Sequence, residues 1–245
     1  MTVQYWGDMS ILIGSVEAAG HGKNFNLTVD VNPLDTTPLS TTGWSEVIGG
    51  LKTGRVSFDF MQNMAAGSMD DTFYPLLGVS SVAKSFCTPS ADGSLAYTMI
   101  GVPLSYTPLQ GAVGELAMGH IEGQASGAPM VRGLLIHPGS ASRTSSSTGT
   151  GQQIGAVGAT QSLYAALHVL SVAGTATPTV TVKVQSDDNA SFTSATDRIT
   201  FTAATAVGYQ WGSVAGAVAD DYWRVSYTIS GTNPVFSFAV VAGIA

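Results

Sequence analysis

The residues of this chain that could hold a metal ion are few and widely spaced. Zinc sites usually draw two ligands from one short turn, and neither the four histidines nor the single cysteine has such a spacing. The run of residues 187–189, Asp-Asp-Asn, offers the oxygen ligands that calcium prefers, but acidic and amide residues between strands are ordinary turn formers. We therefore expect a turn there and no metal site. The histidines and the cysteine are His21, His120, His137, His168 and Cys87.

Arrangements suited to catalysis or cofactor binding are equally weak. Residues 149–155, GTGQQIG, miss the dinucleotide-binding fingerprint by one position and are not flanked by a strand and a helix. No nucleophile-elbow sequence surrounds a serine. Asp220 and Asp221 are adjacent and would point to opposite faces of a strand, which does not suit the paired carboxylates of a glycoside hydrolase. The sequence favours a protein without enzymatic activity or cofactor.

The composition is typical of a β-rich structural protein. Only 10% of the 245 residues are charged and glycine occurs 29 times, which suits many short strands joined by turns. The best helix candidate is the segment 68–78. There Ser68 is expected to cap the first turn, Pro75 to limit or kink the helix, and Gly78 to end it.

Two segments in the first 60 residues alternate between apolar and polar side chains, as half-buried strands do. They are residues 24–32, with Asp30 on the polar face, and residues 55–60, with Asp59 on the polar face. Each strand is expected to bury one face and to keep the other in water. The apolar faces consist of Phe25, Leu27, Val29 and Val31 in the first strand and Val56, Phe58 and Phe60 in the second.

The long connection between these strands, residues 33–50, is the most unusual part of the chain. Connections longer than about 12–15 residues are uncommon in compact domains and are usually functional or disordered. This arm carries apolar residues that a solvated linker lacks. We expect it to become ordered against another copy of the protein. The residues expected to make that contact are Leu39, Trp44, Val47 and Ile48.

The order of these features resembles the tail tube, or major tail, proteins of long-tailed bacteriophages. The resemblance covers roughly the first 130 residues and rests on the first strand, on the arm ending in residues 42–54 (TGWSEVIGGLKTG), on the second strand and on the acidic helix candidate. It implies a small β-sandwich whose sheets join around a ring of six subunits. The barrel formed in this way would let the genome pass, and the arm would stack one ring on the next.

The same resemblance implies the partners and the location of the protein. The partners would be further copies of the chain, other tail proteins (tape measure, tail terminator and distal tail) and DNA that passes without specific binding. The protein would be part of the virion and would be assembled in the host cytoplasm. We expect no signal peptide and no membrane span, because the first residues lack a basic stretch and the apolar residues 11–13 are too few.

The net charge of −7 is concentrated in the first part of the chain, where residues 1–132 hold eleven acidic and five basic residues. Affinity for DNA comes from lysine and arginine, so this part is a poor DNA binder. A channel that must release DNA benefits from a wall that repels it. Asp30 and Asp59 are the candidates for lumen-facing residues of such a wall. Ordinary solubility is the alternative explanation for the charge.

After about residue 130 the sequence changes in character. Residues 140–151 are rich in serine, threonine and glycine and form either a linker or a surface loop. Strand-like segments separated by turn signals follow, as in a sandwich or jelly roll. We predict an all-β protein with one short helix, in which residues 1–132 form a tail tube domain and residues 133–245 a separate jelly-roll-like β-sandwich. The predicted C-terminal strands are residues 163–170, 179–185, 199–201, 222–229 and 235–241.

The C-terminal part also allows a second function, that of a carbohydrate-binding or host-adhesion module of a virion, because jelly rolls commonly bind carbohydrates. Alternation places Trp223 on the core side of its strand, together with Val225 and Tyr227. The aromatic residues that could supply a stacking face are Tyr164, Tyr209, Trp211, Tyr222 and Trp223.

Overall fold

The computed structural model describes residues 7–37 and 44–245, and within them the fold is all-β with one short helix, as predicted. Among these residues no helix has the length and apolar character needed to cross a lipid bilayer. The helix α1 spans Met69–Leu76 and a 3-10 turn spans Ala19–His21. The strands are β1 (Ser10–Ile13), β2 (Val16–Glu17), β3 (Gly22–Asp35), β4 (Val47–Met61), β5 (Val82–Cys87), β6 (Leu95–Gln110), β7 (Met118–Ala125), β8 (Val131–His137), β9 (Ser147–Thr148), β10 (Gln152–Gln153), β11 (Ser162–Asp187), β12 (Thr196–Thr200), β13 (Gly208–Ala215) and β14 (Tyr222–Ile244).

The strands join into one hydrogen-bonded network with the main order β12-β11-β14-β8-β6-β5-β1-β2. Strand β7 pairs with both β6 and β4, and β3 pairs with β4, all antiparallel. Strand β8 lies at the junction, because it pairs with β6 on one side and with β14 on the other. The predicted domain boundary at residues 132 and 133 thus falls inside β8, and independent folding of the two parts remains a prediction.

The N-terminal core forms where the apolar faces of β1, β4, β5, β6 and β7 meet around α1. The predicted apolar face of β4 is buried there, with Phe58 and Phe60 at most 1% exposed. Their rings stack 5.4 Å apart, and Phe60 meets Phe73 of α1 at 5.3 Å. Burying each such side chain stabilises the fold by about 1.5–3 kcal/mol. Alternation along one strand therefore identified the inner face correctly.

The C-terminal part is built on β11 and β14, which pair along their whole length from Leu163↔Ile244 to Asp187↔Tyr222. The rings of Tyr227 and Phe238 lie 5.1 Å apart. Eleven residues of one extended strand would separate them by roughly 36 Å. The two-stranded ribbon of β11 and β14 must therefore fold back on itself. Its two halves enclose a core that contains Trp223.

The corner of this ribbon explains why two strands were predicted where the structure has one. It lies at Gly174 and Gly231, whose φ angles are +127° and +116°. A side chain at Gly174 would meet the Asn233 carbonyl oxygen at 2.7 Å, so glycine is required there. Residues 163–170 and 179–185 are thus the two halves of β11 and not separate strands, and the two predicted segments in residues 222–241 both belong to β14.

A buried polar cluster joins the two parts of the molecule. His168 of β11 is 0% exposed, with its Nδ1 2.6 Å from the carbonyl oxygen of Gly14 and its Nε2 2.9 Å from Oγ of Ser85. A carbonyl can only accept a hydrogen bond, so Nδ1 carries the proton and Ser85 donates to Nε2. Oγ of Ser85 lies in turn 2.8 Å from the hydroxyl of Thr98. Apolar residues surround this junction, namely Leu12, Cys87, Ala96, Leu135, Ala239 and Val241.

Prolines and glycines shape the strands β6 and β7. Strand β6 continues through Pro103 and Pro108 to Gln110, with register shifts next to both prolines. Strand β7 begins only at Met118, because Gly111 and Gly114 adopt positive φ angles of 133° and 94° in the connection before it.

The helix prediction was right in position and wrong in one detail. Helix α1 continues past Pro75 to Leu76, and Gly78, with a φ of +79°, follows its end as predicted. Ser68 occupies the N-cap position, but its side chain makes no capping bond. The carboxylate of Asp71 instead accepts a hydrogen bond from the backbone N–H of Gly67 at 2.8 Å.

The structure also shows the segment 140–151, which the sequence left as a linker or a surface loop, and the turn expected at residues 187–189. Residues 140–151 form a loop over the C-terminal part, where Arg143 bonds to the backbone of Phe236 and β9 pairs with β14. In the segment 187–189, the carboxylate of Asp187 accepts hydrogen bonds from the backbone N–H groups of Asn189 and Ser194. These side chains therefore hold the turn after β11, as expected of turn formers.

Candidate assembly interface and polar sheet face

Both ends of the predicted arm continue the hairpin formed by β3 and β4. Strands β3 and β4 remain paired past the expected ends, through Pro33↔Gly49 and Leu34↔Ile48 to Asp35↔Val47. The expectation of a long connection without strands is therefore corrected for residues 33–35 and 47–50. We call the outer part of this hairpin, residues 29–37 and 44–53, the arm.

The arm extends beyond the N-terminal core, and its apolar side chains lack a cover among the described residues. The predicted buried face of β3 is therefore corrected: Phe25 and Leu27 are partly buried against the core, but Val29 and Val31 are 54% and 46% exposed. On the opposite face, which carries Asp30, the paired Leu34 and Ile48 are also about half exposed. Nearest the tip, Trp44 is 87% exposed. An arm that is apolar on both faces suits insertion between two other surfaces.

Two glycines leave space on this hairpin for side chains of the neighbouring strand. A side chain at Gly49 would meet Cγ1 of Val31 at 3.3 Å, and one at Gly50 would meet Cγ of Leu34 at 3.1 Å. Because both positions lack a side chain, Val31 and Leu34 can lie across the neighbouring strand. The pair Gly49-Gly50 thus leaves both faces open to a partner.

The structure brings three of the four predicted arm residues together near the tip. Trp44, Val47 and Ile48 are all exposed there, and Leu39 lies outside the described residues. Their role in assembly stays a prediction. Sequence reasoning missed Val29 and Leu51, although the alternation of the first strand continues past the part that the core can cover.

The two candidate lumen residues lie on one face of the sheet but in different surroundings. Asn24 stands opposite Asp59 and Asp30 opposite Thr53, so about 20 Å of strand separates the two carboxylates. Asp30 is exposed. Asp59 accepts a hydrogen bond from the Asn24 amide at 3.1 Å and lies 2.5 Å from Nδ1 of His120. Nothing in the sequence around Asp59 indicates these hydrogen bonds, because Asn24 and His120 lie far from it along the chain.

His120 lies between two carboxylates on this polar face. Its Nδ1 faces Asp59, and its Nε2 is 3.2 Å from Oε1 of Glu122. Burial by itself lowers the pKa of His120, but the hydrogen bonds to Asp59 and Glu122 raise it above the ordinary value. The two carboxylates thus favour the protonated form of this ring.

Asp59→Asn is expected to lower the pKa of His120, because the amide keeps the shape of the carboxylate and removes its charge. The pKa can be read from the imidazole proton shifts in an NMR titration. Asp30→Asn, about 20 Å away along the strand, is the matched control and should leave the titration of His120 unchanged. Equal titration curves for the wild type and Asp59→Asn would contradict the assignment.

The five aromatic residues considered for carbohydrate stacking do not share one face. Trp223 is fully buried, as the alternation predicted, and Tyr209 packs against the N-terminal core. Tyr164 and Trp211 remain partly exposed, with ring centroids 5.8 Å apart. This arrangement does not favour the carbohydrate-binding alternative.

Comparison with known proteins gives matches only among solved structures. No family model matches the chain, and no curated protein does. The tail of an empty gene transfer agent particle is 17% identical, covers 48% of this chain and 92% of its own, and has a TM-score of 0.37. The tube–sheath complex of the extracellular contractile injection system PVC is 6% identical, with 54% and 93% covered and a TM-score of 0.42.

A third structure matches over nearly the whole length. It is the Dit protein of phage SPP1, described as a hub of the adsorption apparatus in phages that infect Gram-positive bacteria. It is 11% identical, covers 97% of this chain and 99% of its own, and has a TM-score of 0.38. The matched structures thus come from the tails of a gene transfer agent and a phage and from a contractile injection system.

Proposed function

We propose that this protein is a structural subunit of a phage tail tube, which polymerises with copies of itself into stacked, hexameric rings. The arm carries this proposal, because it exposes large apolar side chains on both faces beyond the core that covers the rest of β3 and β4. Burying each of these side chains against a neighbour would contribute about 1.5–3 kcal/mol. The ring of six follows from the sequence resemblance.

The polar face of β3, β4 and β7 is proposed to line the channel. It carries Asp30, Asp59 and Glu122, with Arg55 and His120 as partial counter-charges. Such a wall would repel the phosphate backbone and let DNA slide during ejection without specific binding. Other tail proteins, among them the tape measure, tail terminator and distal tail, would contact the ends or the interior of the tube. The protein would act without a cofactor and without enzymatic activity.

Negative-stain electron microscopy of the purified protein tests the assembly. Stacked rings of constant diameter are expected at high protein concentration. A monodisperse monomer under all conditions would contradict the proposal, and a monomer that also binds a glycan array would support host adhesion in its place.

Asp30→Lys is expected to slow genome ejection at low salt, since the exposed change turns a repulsive site in the channel into one that holds phosphate. Release of DNA from virions triggered in vitro measures the effect, which should weaken as salt rises. The matched control is Asp188→Lys, an exposed position on the C-terminal part, which should eject at the normal rate. Unchanged ejection by Asp30→Lys at low salt would place this face outside the channel.

A further inference from the structure

The loop between β6 and β7 forms a second exposed apolar surface. We call residues 109–117 the receiving loop. Val113 at its turn is fully exposed, and Leu109 and Leu116 are 61% and 65% exposed. Between these two leucines lies an open groove of about 220 Å³, which Ala112 and Ala117 also line. A pocket for a small-molecule ligand usually measures about 300–1,000 Å³, so this groove suits a single large side chain better.

The receiving loop and the arm lie at opposite ends of the same strand. Strand β4 pairs with β7 from Arg55↔Gln124 to Met61↔Met118, so the receiving loop, which ends just before Met118, lies beyond the Met61 end of β4. The arm leaves from the other end, at Val47. The 15 residues of β4 separate the two ends by roughly 45–50 Å. The arm of a chain therefore cannot reach its own receiving loop.

Two different apolar surfaces at opposite ends of a molecule favour a head-to-tail contact between copies. Such a contact does not close on itself, and it propagates as a stack or filament. The receiving loop contains one charged residue, Glu115, and depletion of charge is typical of the centre of a protein interface. In a contact between two copies of this chain, one copy supplies the arm and the other supplies the receiving loop.

We propose that the receiving loop of one copy binds the arm tip of the next copy, with Trp44 seated in the groove between Leu109 and Leu116. This inference rests on the proposed function, because it identifies the surface that receives the arm. Trp44 is the most exposed aromatic residue near the tip, and tryptophan in a pocket is the commonest kind of energetic anchor at an interface.

The exposed apolar areas of the two surfaces suit a contact that is repeated many times in an assembly. The exposed apolar side chains of the arm present roughly 600 Å² and those of the receiving loop roughly 300 Å², against about 800 Å² per partner in a standard stable interface. One contact is thus weak by itself. Rings that make several such contacts at once would bind through their combined affinity.

Two single substitutions separate the donor from the receiver. Trp44→Asp removes the inserted side chain, and Leu116→Asp places a charge in the groove. Each variant by itself is expected to polymerise at least tenfold more slowly than the wild type, measured by light scattering, with an unchanged melting temperature because both residues are exposed. Val207→Asp, an equally exposed apolar position on the C-terminal part, is the matched control and should polymerise normally.

Mixing the two variants gives the decisive measurement. Leu116→Asp keeps an intact arm and Trp44→Asp keeps an intact receiving loop, so together they can make one junction that cannot be extended. Analytical ultracentrifugation should show a discrete complex in the mixture that neither variant forms alone. Absence of this complex, or normal tubes from Leu116→Asp, would overturn the inference.

Disulfide trapping provides a readout that does not depend on growth rates. In tubes of the double variant Ser45→Cys, Gln110→Cys, which keeps Trp44 and both groove leucines, oxidation should link successive copies into a ladder on a denaturing gel. The native Cys87 is buried and burial raises the pKa of its thiol, so it should not compete. Tubes without a ladder would overturn the inference and leave the proposed function standing, whereas a wild-type protein that forms no tubes would overturn both.

Discussion

Replacing residues 36–46 by the two residues Asn-Gly is expected to give a folded, soluble protein that no longer stacks into tubes under conditions where the wild type does. The last pair of the hairpin is Asp35↔Val47, and Asn-Gly is the preferred two-residue turn for closing such a pair. The core contacts of Phe58 and Phe60 are untouched. The change removes Trp44 and the arm tip. Sedimentation should show a critical concentration for assembly at least tenfold higher, while thermal unfolding stays cooperative.

A second variant separates the role of the apolar residues from the role of length. In it, residues 36–46 are replaced by eleven serine and glycine residues, which keep the reach of the arm and remove its side chains. This variant should fail to polymerise as well. Normal tubes from either variant would exclude the arm tip from the assembly contact.

Acid is expected to destabilise the protein through His168. Burial lowers the pKa of this histidine from 6.5 to about 4, so the unfolded chain binds the proton first as the pH falls. The stabilising contribution is complete above pH 6.5, declines below it and is lost once the pH passes below about 4. The free energy of unfolding should fall by up to about 1.4 kcal/mol per pH unit for one such group. His137, whose pKa burial also lowers to about 4, acts in the same direction.

Chemical denaturation of two variants at pH 7 and pH 4.5 isolates the contribution of His168. His168→Gln cannot titrate, so its stability should be lower at pH 7 and should change less between the two pH values. Ser85→Ala removes the donor to Nε2 and keeps the imidazole, so its pH dependence should remain close to that of the wild type. An identical pH dependence in His168→Gln and the wild type would contradict the role assigned to His168.

The acid response concerns the junction of the two parts as well as overall stability. A proton on Nε2 would replace the acceptor that Ser85 needs, in a site without water access. The groups that face His168 there are Gly14, Ser85 and, through Ser85, Thr98, which come from three different strands or turns of the N-terminal part. Acid should therefore loosen this contact before it unfolds the apolar cores.

Local alternation of side chains predicted which face of a strand turns inward. It assigned Phe58 and Phe60 to the N-terminal core and Trp223 to the C-terminal core, because adjacent residues of a strand point to opposite sides whatever the strand pairs with. It could not show where the core ends, so Val29 and Val31 are exposed although they share the face of Phe25. The length and the apolar residues of the connection 33–50 predicted the arm. The all-β class and the single short helix followed from composition and from turn residues.

Tertiary structure alone decided which distant residues meet. Asp59 finds His120 only because β4 pairs with β7, and His168 finds Gly14 and Ser85 only because the C-terminal ribbon lies against the N-terminal sheet. The strands β11 and β14 each continue through a corner, and the turn residues at that corner made each of them look like two shorter strands in the sequence. The placement of the arm and the receiving loop at opposite ends of β4 follows from strand pairing as well. Pairing between strands far apart in sequence leaves no mark in the local pattern of either strand.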